Sequence, residues 1–329
     1  MQAPDLERLI QDALAELGSS ADASLVAEKV RRLDIGLPCE DEFSVICAWL
    51  GKCQLLHKLD QKQIPVGSRE KYQVPDILAF FSTQINKSPL LIEVKSKQTN
   101  RLVLQPEYLQ KLKNYAELLK LPLLIAWKYK NIWTLFEVKH LDKQGKNKNY
   151  SISISTAMRE NLLGVLAGDL AYKIGPGTSI HLKFRKDKLI SEEIITDVSE
   201  QQWVMTIESV EFMDYEGSYR TDLEDQVQSL FTGWNLKEQT QDKGTHLQLS
   251  FVAGDEGLQY AHMSLVQLLH WELPENQKPH WRALLGKEQI TTNIKNFSDA
   301  LDAALRQKIV SHIFHVFPHS IPDFLPSMP

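Results

Sequence analysis

Two acids and a lysine stand at the ends of two neighbouring apolar segments, within the stretch QVPDILAFFSTQINKSPLLIEVKSKQ at residues 73–98. Asp76 opens the first segment, and Glu93 and Lys95 close the second. Successive side chains of a strand point to opposite faces, so Glu93 and Lys95 share a face. If the two segments pair as an antiparallel hairpin with its turn midway between them, Asp76 lies roughly opposite Val94 and the three ionisable groups meet.

The chemistry available to such a group follows from its charges. Two carboxylates held together repel each other at reduced dielectric, and a divalent cation between them relieves the repulsion. Mg²⁺ binds through one or two carboxylates and takes phosphate oxygens of a substrate among its remaining ligands. A lysine nearby can orient or help to deprotonate the attacking water, or stabilise charge that builds on the phosphate in the transition state. Acid, acid and lysine in this pattern therefore predict a metal-dependent site that hydrolyses phosphodiesters.

The tripeptide Glu-Val-Lys occurs a second time, at residues 137–139 in the run FEVKHL. Glu-x-Lys at a strand end arises freely in amphipathic surface strands, so the tripeptide alone is weak evidence. What distinguishes the first copy is Pro75-Asp76 upstream across a hairpin. The second copy has no such acid partner, and we interpret it as a surface strand end.

The elements that must position these residues predict a compact α/β unit. Residues 39–56, CEDEFSVICAWLGKCQLL, place Phe43, Ile46, Trp49 and Leu50 at helical spacing after a first turn of acids. Strands follow at 74–81 and 90–95, and PEYLQKLKNYAELLKL from residue 106 predicts an amphipathic helix. PLLIAWKY and NIWTLFEVKHL predict two more strands. The order helix, strand, strand, helix, strand, strand closes near residue 140.

The rest of the chain predicts a different organisation. A polar, Gly- and Lys-rich segment at 142–151 indicates a connection. Beyond it, TSIHLKF, EEIITDV, WVMTIESVEFM and HLQLSFV indicate strands, and RTDLEDQVQSLF, LQYAHMSLVQLLHWEL and FSDALDAALRQKIVSHIF indicate helices. We therefore expect an N-terminal helical segment at 1–37, an α/β core at 38–145 and an additional α+β domain of unknown role at 151–329.

Charge is distributed unevenly along the chain. Residues 51–150 carry 18 Lys and Arg against 8 Asp and Glu, whereas residues 151–329 carry 15 against 24 and residues 1–50 carry 4 against 10. A basic region within a chain of net charge −5 is the pattern expected for a domain that binds a polyanion, and equally for a solvated lysine-rich surface.

The core residues resemble a known family. VPDILAFF…LLIEVKSK looks like the core of the PD-(D/E)XK nuclease superfamily, which has the restriction-endonuclease-like fold, a mixed sheet flanked by helices. VGSREKYQVPDIL, with Gly67-Ser68 ahead of the Pro-Asp, is similar to archaeal Holliday-junction resolvases in particular. The resemblance covers about residues 38–140, and the family's order of elements is matched there. Nothing after residue 150 matches the family.

The resemblance implies roles for particular residues. Asp76 and Glu93 would be metal ligands and Lys95 the catalytic lysine. The family often adds an acid from its first helix, for which Glu42 fits best and Glu40 is second.

Other positions follow from the same resemblance and from the basic region. Gln110 lies in the helix where relatives often place a site glutamine, although its distance to Tyr115 is one residue longer than in the exonuclease-like branch. The residues expected to contact nucleic acid are Ser68, Lys87, Lys97, Arg101, Lys111 and Lys113.

The resulting expectation is a Mg²⁺-dependent endonuclease, with Mn²⁺ as a substitute, acting on duplex or branched DNA. A homodimer is expected because cutting both strands of a duplex commonly takes two active sites. The alternative is a non-catalytic nucleic-acid-binding or assembly protein that keeps the fold. The cysteine pattern suggests no disulfide framework and no segment predicts a signal peptide or a membrane span, so we expect a cytoplasmic protein without a membrane partner.

Overall fold

The computed structural model describes most of the chain. The described residues are 10, 13–14, 17, 22–60, 63–82, 89–143, 148–195, 198–255, 257–271, 281–287 and 293–325. Two compact units are present, the first comprising Met1–Asp169, Lys278–Glu288 and Val316–Pro329 and the second Leu170–Gln277 and Gln289–His315. The domain boundaries expected at 37 and 145–151 stay predictions. No helix in the described ranges is long and apolar enough to cross a membrane.

The first unit is built on a five-stranded mixed sheet. Its strands, in spatial order β1-β2-β3-β5-β6, are β1 (Cys53–Lys58), β2 (Ile77–Phe81), β3 (Leu90–Ser96), β5 (Leu123–Tyr129) and β6 (Ile132–Glu137). Neighbours pair antiparallel except β3 and β5, which are parallel. The central strand is therefore β3, which ends in the first Glu-Val-Lys.

Two helices flank this sheet, α1 (Ala23–Trp49) and α2 (Pro106–Leu119). The face of α2 that carries Leu112 and Ala116 packs with Leu91 of β3. From α1, Phe43 packs 5.0 Å from the ring of Trp133 on β6. A mixed sheet flanked by helices, followed by an α+β region, confirms the fold class predicted from the sequence.

Smaller elements complete the first unit. They are the short strands β4 (Arg101–Leu104), β7 (Asp142–Lys143) and β8 (Tyr150–Ser153), the helices α3 (Ile154–Arg159) and α4 (Leu163–Leu166), and the 3-10 turns Val66–Glu70 and Val138–His140. The three strands form a separate sheet in the order β4-β8-β7. Because β8 pairs with β4 along its whole length, residues 150–153 belong to the first unit, although the segment 142–151 was expected to be a connection.

Two local features of this unit were not anticipated from the sequence. The helix α1 is continuous through Pro38, next to the segment boundary expected at residue 37. A proline removes one hydrogen bond of the helix, and the buried turn that follows, with Phe43 fully buried, offsets the loss. The strand β1 was not predicted, because it is short and mostly exposed and so lacks an apolar alternation.

In the residues that the structure describes, the second unit has two further sheets and three helices of four or more residues. Its strands are β9 (Leu170–Ile174), β10 (Ser179–Ile195), β11 (Val198–Met213), β12 (Tyr219–Arg220), β13 (Lys237–Asp242), β14 (His246–Val252), β15 (Gln259–Tyr260) and β16 (Val310–His315). Its helices of four or more residues are α5 (Asp225–Leu230), α6 (Ala261–Trp271) and α8 (Phe297–Arg306), while α7 (Trp281–Leu284) belongs to the first unit. The sheets have the orders β12-β11-β10-β14-β13 and β15-β9-β16.

The C-terminal helix predicted through residue 314 ends much earlier. The structure has α8 only to Arg306, then a left-handed residue, Lys308 (φ 61°), and then β16. β16 pairs antiparallel with β9. The β-branched residues of this segment favour a strand once such a partner is present, which the helical spacing of the sequence did not reveal.

Candidate functional site

The pairing of β2 with β3 determines where the two acids lie. Ile77 is opposite Ile92 and Leu78 is opposite Leu91. One step further along the same register, Asp76 is opposite Glu93, one residue from the expected position. The amide of Val94 donates a hydrogen bond of 2.7 Å to Oδ2 of Asp76. The hairpin therefore brings the two carboxylates to the same end of the sheet.

Glu93 is held in a small polar cluster beneath the surface. Its side chain is 1 % exposed. The ammonium of Lys95 and the hydroxyl of Tyr108 both donate to Oε1 of Glu93, and Lys95 Nζ also lies 3.0 Å from the hydroxyl of Tyr108. The other oxygen, Oε2 of Glu93, is buried and has no hydrogen-bond partner within the described part of the chain.

A buried carboxylate oxygen without a partner costs free energy, because it has given up water and gained nothing. Burial raises the pKa of Asp76 well above its usual value, and the carboxylate of Glu93 raises it further, while Lys95 and the Val94 amide act in the opposite direction. In the absence of added positive charge, the site thus resists the full ionisation of its acids. A cation would stabilise them.

The state of Lys95 is determined by the same neighbours. Burial alone would lower the pKa of Lys95, but the carboxylate of Glu93, with smaller contributions from Tyr108 and Asp76, raises it above its usual value. Lys95 is consequently a fixed positive charge at neutral pH, suited to stabilise or orient an anion rather than to accept a proton.

The donor set fits a hard divalent cation. Two carboxylates, one with an unpartnered buried oxygen, are the protein contribution that Mg²⁺ commonly uses, with water and substrate oxygens completing its shell. Among the described residues no group of three or more His, Cys, Asp and Glu side chains is arranged to hold a metal ion. Asp76 and Glu93 would therefore hold such an ion as a pair.

The structure separates the two candidates for a third acid. Both oxygens of Glu42 are engaged, Oε2 by Nζ of Lys128 at 2.5 Å and Oε1 by the indole N–H of Trp133 at 2.9 Å. Lys128 follows Trp127, the residue that pairs with Lys95, so its side chain lies on the opposite face of the sheet. The metal-ligand role predicted for Glu42 remains untested, and the geometry does not favour it.

Glu40, the second candidate, interacts electrostatically with Asp76. Its carboxylate raises the pKa of Asp76, after the larger effects of burial and of Glu93. Glu40 is paired with Nζ of Lys58 at 2.9 Å, and Lys58 also contacts Asp41 at 2.7 Å. Of the two candidate acids of α1, Glu40 is the one that contributes to the raised pKa of Asp76.

The helix after β3 contributes a different residue from the one expected. Gln110 is exposed, and its amide donates to Oδ1 of Asn114 at 2.8 Å. Tyr108, two residues earlier, is the residue of α2 that reaches Glu93 and Lys95. Gln110 and Tyr108 both lie next to the buried stripe of α2 that contains Leu109 and Leu112. The amphipathic pattern of the sequence indicated that Tyr108 faces inward, but it did not reveal that the hydroxyl of Tyr108 reaches Glu93.

Two of the residues expected to contact nucleic acid, Lys97 and Arg101, are exposed on the segment that follows β3. The carbonyl of Lys97 accepts from the indole N–H of Trp127 at 3.2 Å, and Nη1 of Arg101 donates to the hydroxyl of Ser151 at 2.9 Å. The backbone of Lys97 and the side chain of Arg101 are thus held by hydrogen bonds, while both residues remain exposed to solvent.

The other residues expected to contact nucleic acid and described by the structure lie in the turn before β2 and on α2. Ser68 lies in the turn Val66–Glu70, where its hydroxyl donates to Gln63 at 3.2 Å. On α2, Lys111 pairs with Glu107 at 2.9 Å and Lys113 lies 5.5 Å from the ring centre of Tyr150. Lys87 lies outside the described residues.

Comparison with known proteins finds a family that is similar to part of the first unit. Residues 64–167 match the sequence profile of the archaeal Holliday junction resolvase family, Hjc. This part of the chain is thus similar to a family of the PD-(D/E)XK superfamily, the resemblance expected from the sequence. A solved structure of Hjc from Archaeoglobus fulgidus, a Holliday junction resolvase, aligns with 37 % of this chain and 86 % of that one, at 22 % identity and a TM-score of 0.29. No curated protein sequence matches the chain.

The family match spans both Asp76 and the Glu93–Lys95 segment. It ends at residue 167, before the second unit begins at Leu170, so it includes no residue of the second unit.

Proposed function

We propose that the first unit is a metal-dependent DNA endonuclease, with its catalytic core within residues 38–145. The observation that carries the proposal is that Asp76 and Glu93 lie side by side across the β2–β3 pair. Oε2 of Glu93 is buried and has no hydrogen-bond partner among the described residues, and Lys95 is on the same face of the sheet. The Hjc match over residues 64–167 supports it and favours branched DNA as the substrate class.

Each residue of the site would have a separate task. Asp76 and Glu93 would hold the divalent cation, Mg²⁺ with Mn²⁺ as a substitute. When bound, that ion would lower the pKa of water and neutralise charge on the scissile phosphate. Lys95, kept protonated by Glu93, would stabilise the negative charge that develops on the phosphate oxygens. Tyr108 would fix the position of Lys95 through its hydroxyl.

The alternative is a protein that binds nucleic acid without cleaving it. It is favoured by the absence, in the described ranges, of any group of three side chains arranged to hold a metal ion. Such a protein would keep the basic surface of the first unit but would not hydrolyse the bound strand.

The test is to incubate the full chain with a four-way DNA junction, a linear duplex of the same sequence and a single strand, each with Mg²⁺, Mn²⁺ or EDTA. The proposal expects cleavage of the junction that requires the metal and is lost in Lys95→Ala. Binding of the junction without cleavage in either metal would support the alternative. Equal cleavage by wild type and Lys95→Ala would show a contaminating nuclease and remove the support for an enzyme.

We further propose that the active form is a homodimer, because two sites are needed to cut two strands in symmetric positions. Sedimentation of the full chain with and without junction DNA measures this. A single copy of the chain on each cleaved junction would contradict it.

A further inference from the structure

Tyr108 joins Glu93 and Lys95 in a closed triangle of hydrogen bonds. The ammonium of Lys95 donates to Oε1 of Glu93 and to the hydroxyl of Tyr108, the latter at 3.0 Å. The hydroxyl of Tyr108 donates to the same oxygen, Oε1 of Glu93. A lysine ammonium has donors only and a tyrosine hydroxyl has a single proton. The direction of each bond is therefore fixed, and Tyr108 accepts from Lys95 while giving its proton to Glu93.

The two oxygens of Glu93 are consequently unequal. Oε1 accepts from two donors, whereas Oε2 is buried and has no hydrogen-bond partner among the described residues. Rotation of the carboxylate out of this orientation would strain or break both bonds at Oε1. Because the side chain of Glu93 is only 1 % exposed, water would not replace them, and the loss would cost free energy.

The packing of the Tyr108 ring holds its hydroxyl in place. Tyr108 lies in the first turn of α2, which begins at Pro106. Its ring is half-buried against the cluster of Leu91, Leu112, Ala116 and Leu123. Nζ of Lys95 lies 5.0 Å from the ring centre, within the range of a cation–π contact. The hydroxyl is thus positioned by the helix, whereas Glu93 and Lys95 are positioned by β3.

We propose that Tyr108 is a positioning residue that separates the tasks of the two oxygens of Glu93, with Oε1 holding Lys95 and Oε2 facing the divalent cation. The inference rests on the proposed metal site and deepens it. Groups that bond a metal ligand from behind orient that ligand, and their loss typically costs about 10–100-fold in metal affinity or activity. The helix α2 supplies this group from Tyr108, because Gln110 is engaged with Asn114.

The hydroxyl therefore has two effects that can be measured separately. Through Glu93 it presents Oε2 to the cation, so its removal should weaken metal binding. Through Lys95 it holds the ammonium beside the site, so its removal should also slow cleavage when the metal is saturating. A ring that only packs against the cluster would have neither effect.

The first experiment titrates Mn²⁺ into the full chain by calorimetry. Tyr108→Phe keeps the ring and removes only the hydroxyl, and we expect the dissociation constant of Mn²⁺ to rise about tenfold or more. Tyr115→Phe is the matched control, because it removes the same atom from a residue of α2 that packs against the same cluster. It should bind Mn²⁺ like the wild type. Circular dichroism establishes that each variant is folded. Wild-type affinity in Tyr108→Phe would overturn the proposal.

The second experiment tests whether Tyr108 acts on the rate through Lys95. Single-turnover cleavage of a four-way junction at saturating Mg²⁺ is measured in the wild type, Tyr108→Phe, Lys95→Ala and the double variant. Tyr108→Phe alone should lower the rate about tenfold. In the Lys95→Ala background it should lower the rate by less than about twofold, since residues that act as one unit are not additive. Equal losses in both backgrounds would overturn the action through Lys95.

The two measurements separate this inference from the proposed function. Mn²⁺ binding that depends on the hydroxyl of Tyr108, in a chain that cleaves no DNA, would support the inference and remove the endonuclease. Cleavage by the wild type, with Mn²⁺ affinity unchanged in Tyr108→Phe, would keep the endonuclease and remove the inference. A wild-type chain that binds no Mn²⁺ would overturn both.

Discussion

Glu-Val-Lys ends a strand twice in this chain, at 93–95 and at 137–139, and the surroundings of the two copies are opposite. The first ends the central strand of the five-stranded sheet, and the second begins at the last residue of the edge strand β6. Glu93 is 1 % exposed whereas Glu137 is 14 % exposed. Glu93 and Val94 are therefore buried and Lys95 is half-buried, whereas Glu137 and Val138 are half-buried and Lys139 is exposed.

The neighbours differ in charge as well. The carboxylate of Glu137 lies 2.6 Å from Nζ of Lys139 and 3.8 Å from His140. Glu93 also has its lysine, but a second acid, Asp76, lies across the hairpin. In the second copy, the charge of Glu137 is therefore balanced by the lysine beside it. In the first copy, one lysine stands against two carboxylates. The chemistry of the motif comes from the second acid.

The largest expected effect is on cleavage. Lys95→Ala should lower the single-turnover rate on a four-way junction by about 10²–10³-fold, because it removes the positive charge beside the phosphate. Lys139→Ala removes the same residue type from the second copy and should change the rate by less than about twofold. The measurement is junction cleavage at saturating protein in Mg²⁺. Equal losses in the two variants would show that the copies are not functionally distinct.

Metal binding should separate the two copies next. Asp76→Asn and Glu93→Gln should each abolish the Mg²⁺ or Mn²⁺ binding seen by calorimetry, whereas Glu137→Gln should bind like the wild type. Without metal, Asp76→Asn should be as stable as the wild type or slightly more stable, since it relieves the repulsion between two carboxylates. Unchanged affinity in both Asp76→Asn and Glu93→Gln would place the metal elsewhere.

The comparison also shows what the sequence could reveal. The order Pro-Asp, hairpin, Glu-x-Lys was sufficient to predict that Asp76, Glu93 and Lys95 meet, because strand register follows from local pairing. It was insufficient for Tyr108 and Glu40, whose contacts depend on how α2 and α1 are rotated against the sheet. The long strands β10 and β11 were predicted only in pieces, since most of the described side chains at 187–192 and 200–207 are exposed and impose no apolar alternation.

A smaller effect concerns pH in the metal-free protein. The folded-state pKa of Asp76 is raised, so the folded chain binds more protons than the unfolded chain between the usual pKa of Asp76 and the raised one. Stability should therefore fall as pH rises through that window. In Asp76→Asn this part of the pH dependence should disappear, which urea unfolding in EDTA at a series of pH values measures. Glu137→Gln, in the second copy, should keep it. A difference between wild type and Asp76→Asn that is independent of pH would contradict the assignment.

The smallest expected effect is on the salt dependence of DNA binding, and it tests which surface the DNA follows. Lys97 and Arg101 come directly after the first copy, and both side chains are exposed. If each neutralises one phosphate, changing both to Ala should flatten the slope of log K against log salt by roughly two units and weaken binding to all sequences alike.

The comparison set for this measurement is in the second unit. Lys183, Arg185 and Lys186 are already paired, with Glu211 at 2.7 Å, Asp187 at 2.9 Å and Asp242 at 2.5 Å. Replacing all three with Ala should leave the slope nearly unchanged, because their charge is balanced within the protein. If this set flattens the slope and the pair Lys97 and Arg101 leaves it unchanged, the DNA lies on the second unit. The first Glu-Val-Lys would then have no DNA path beside it.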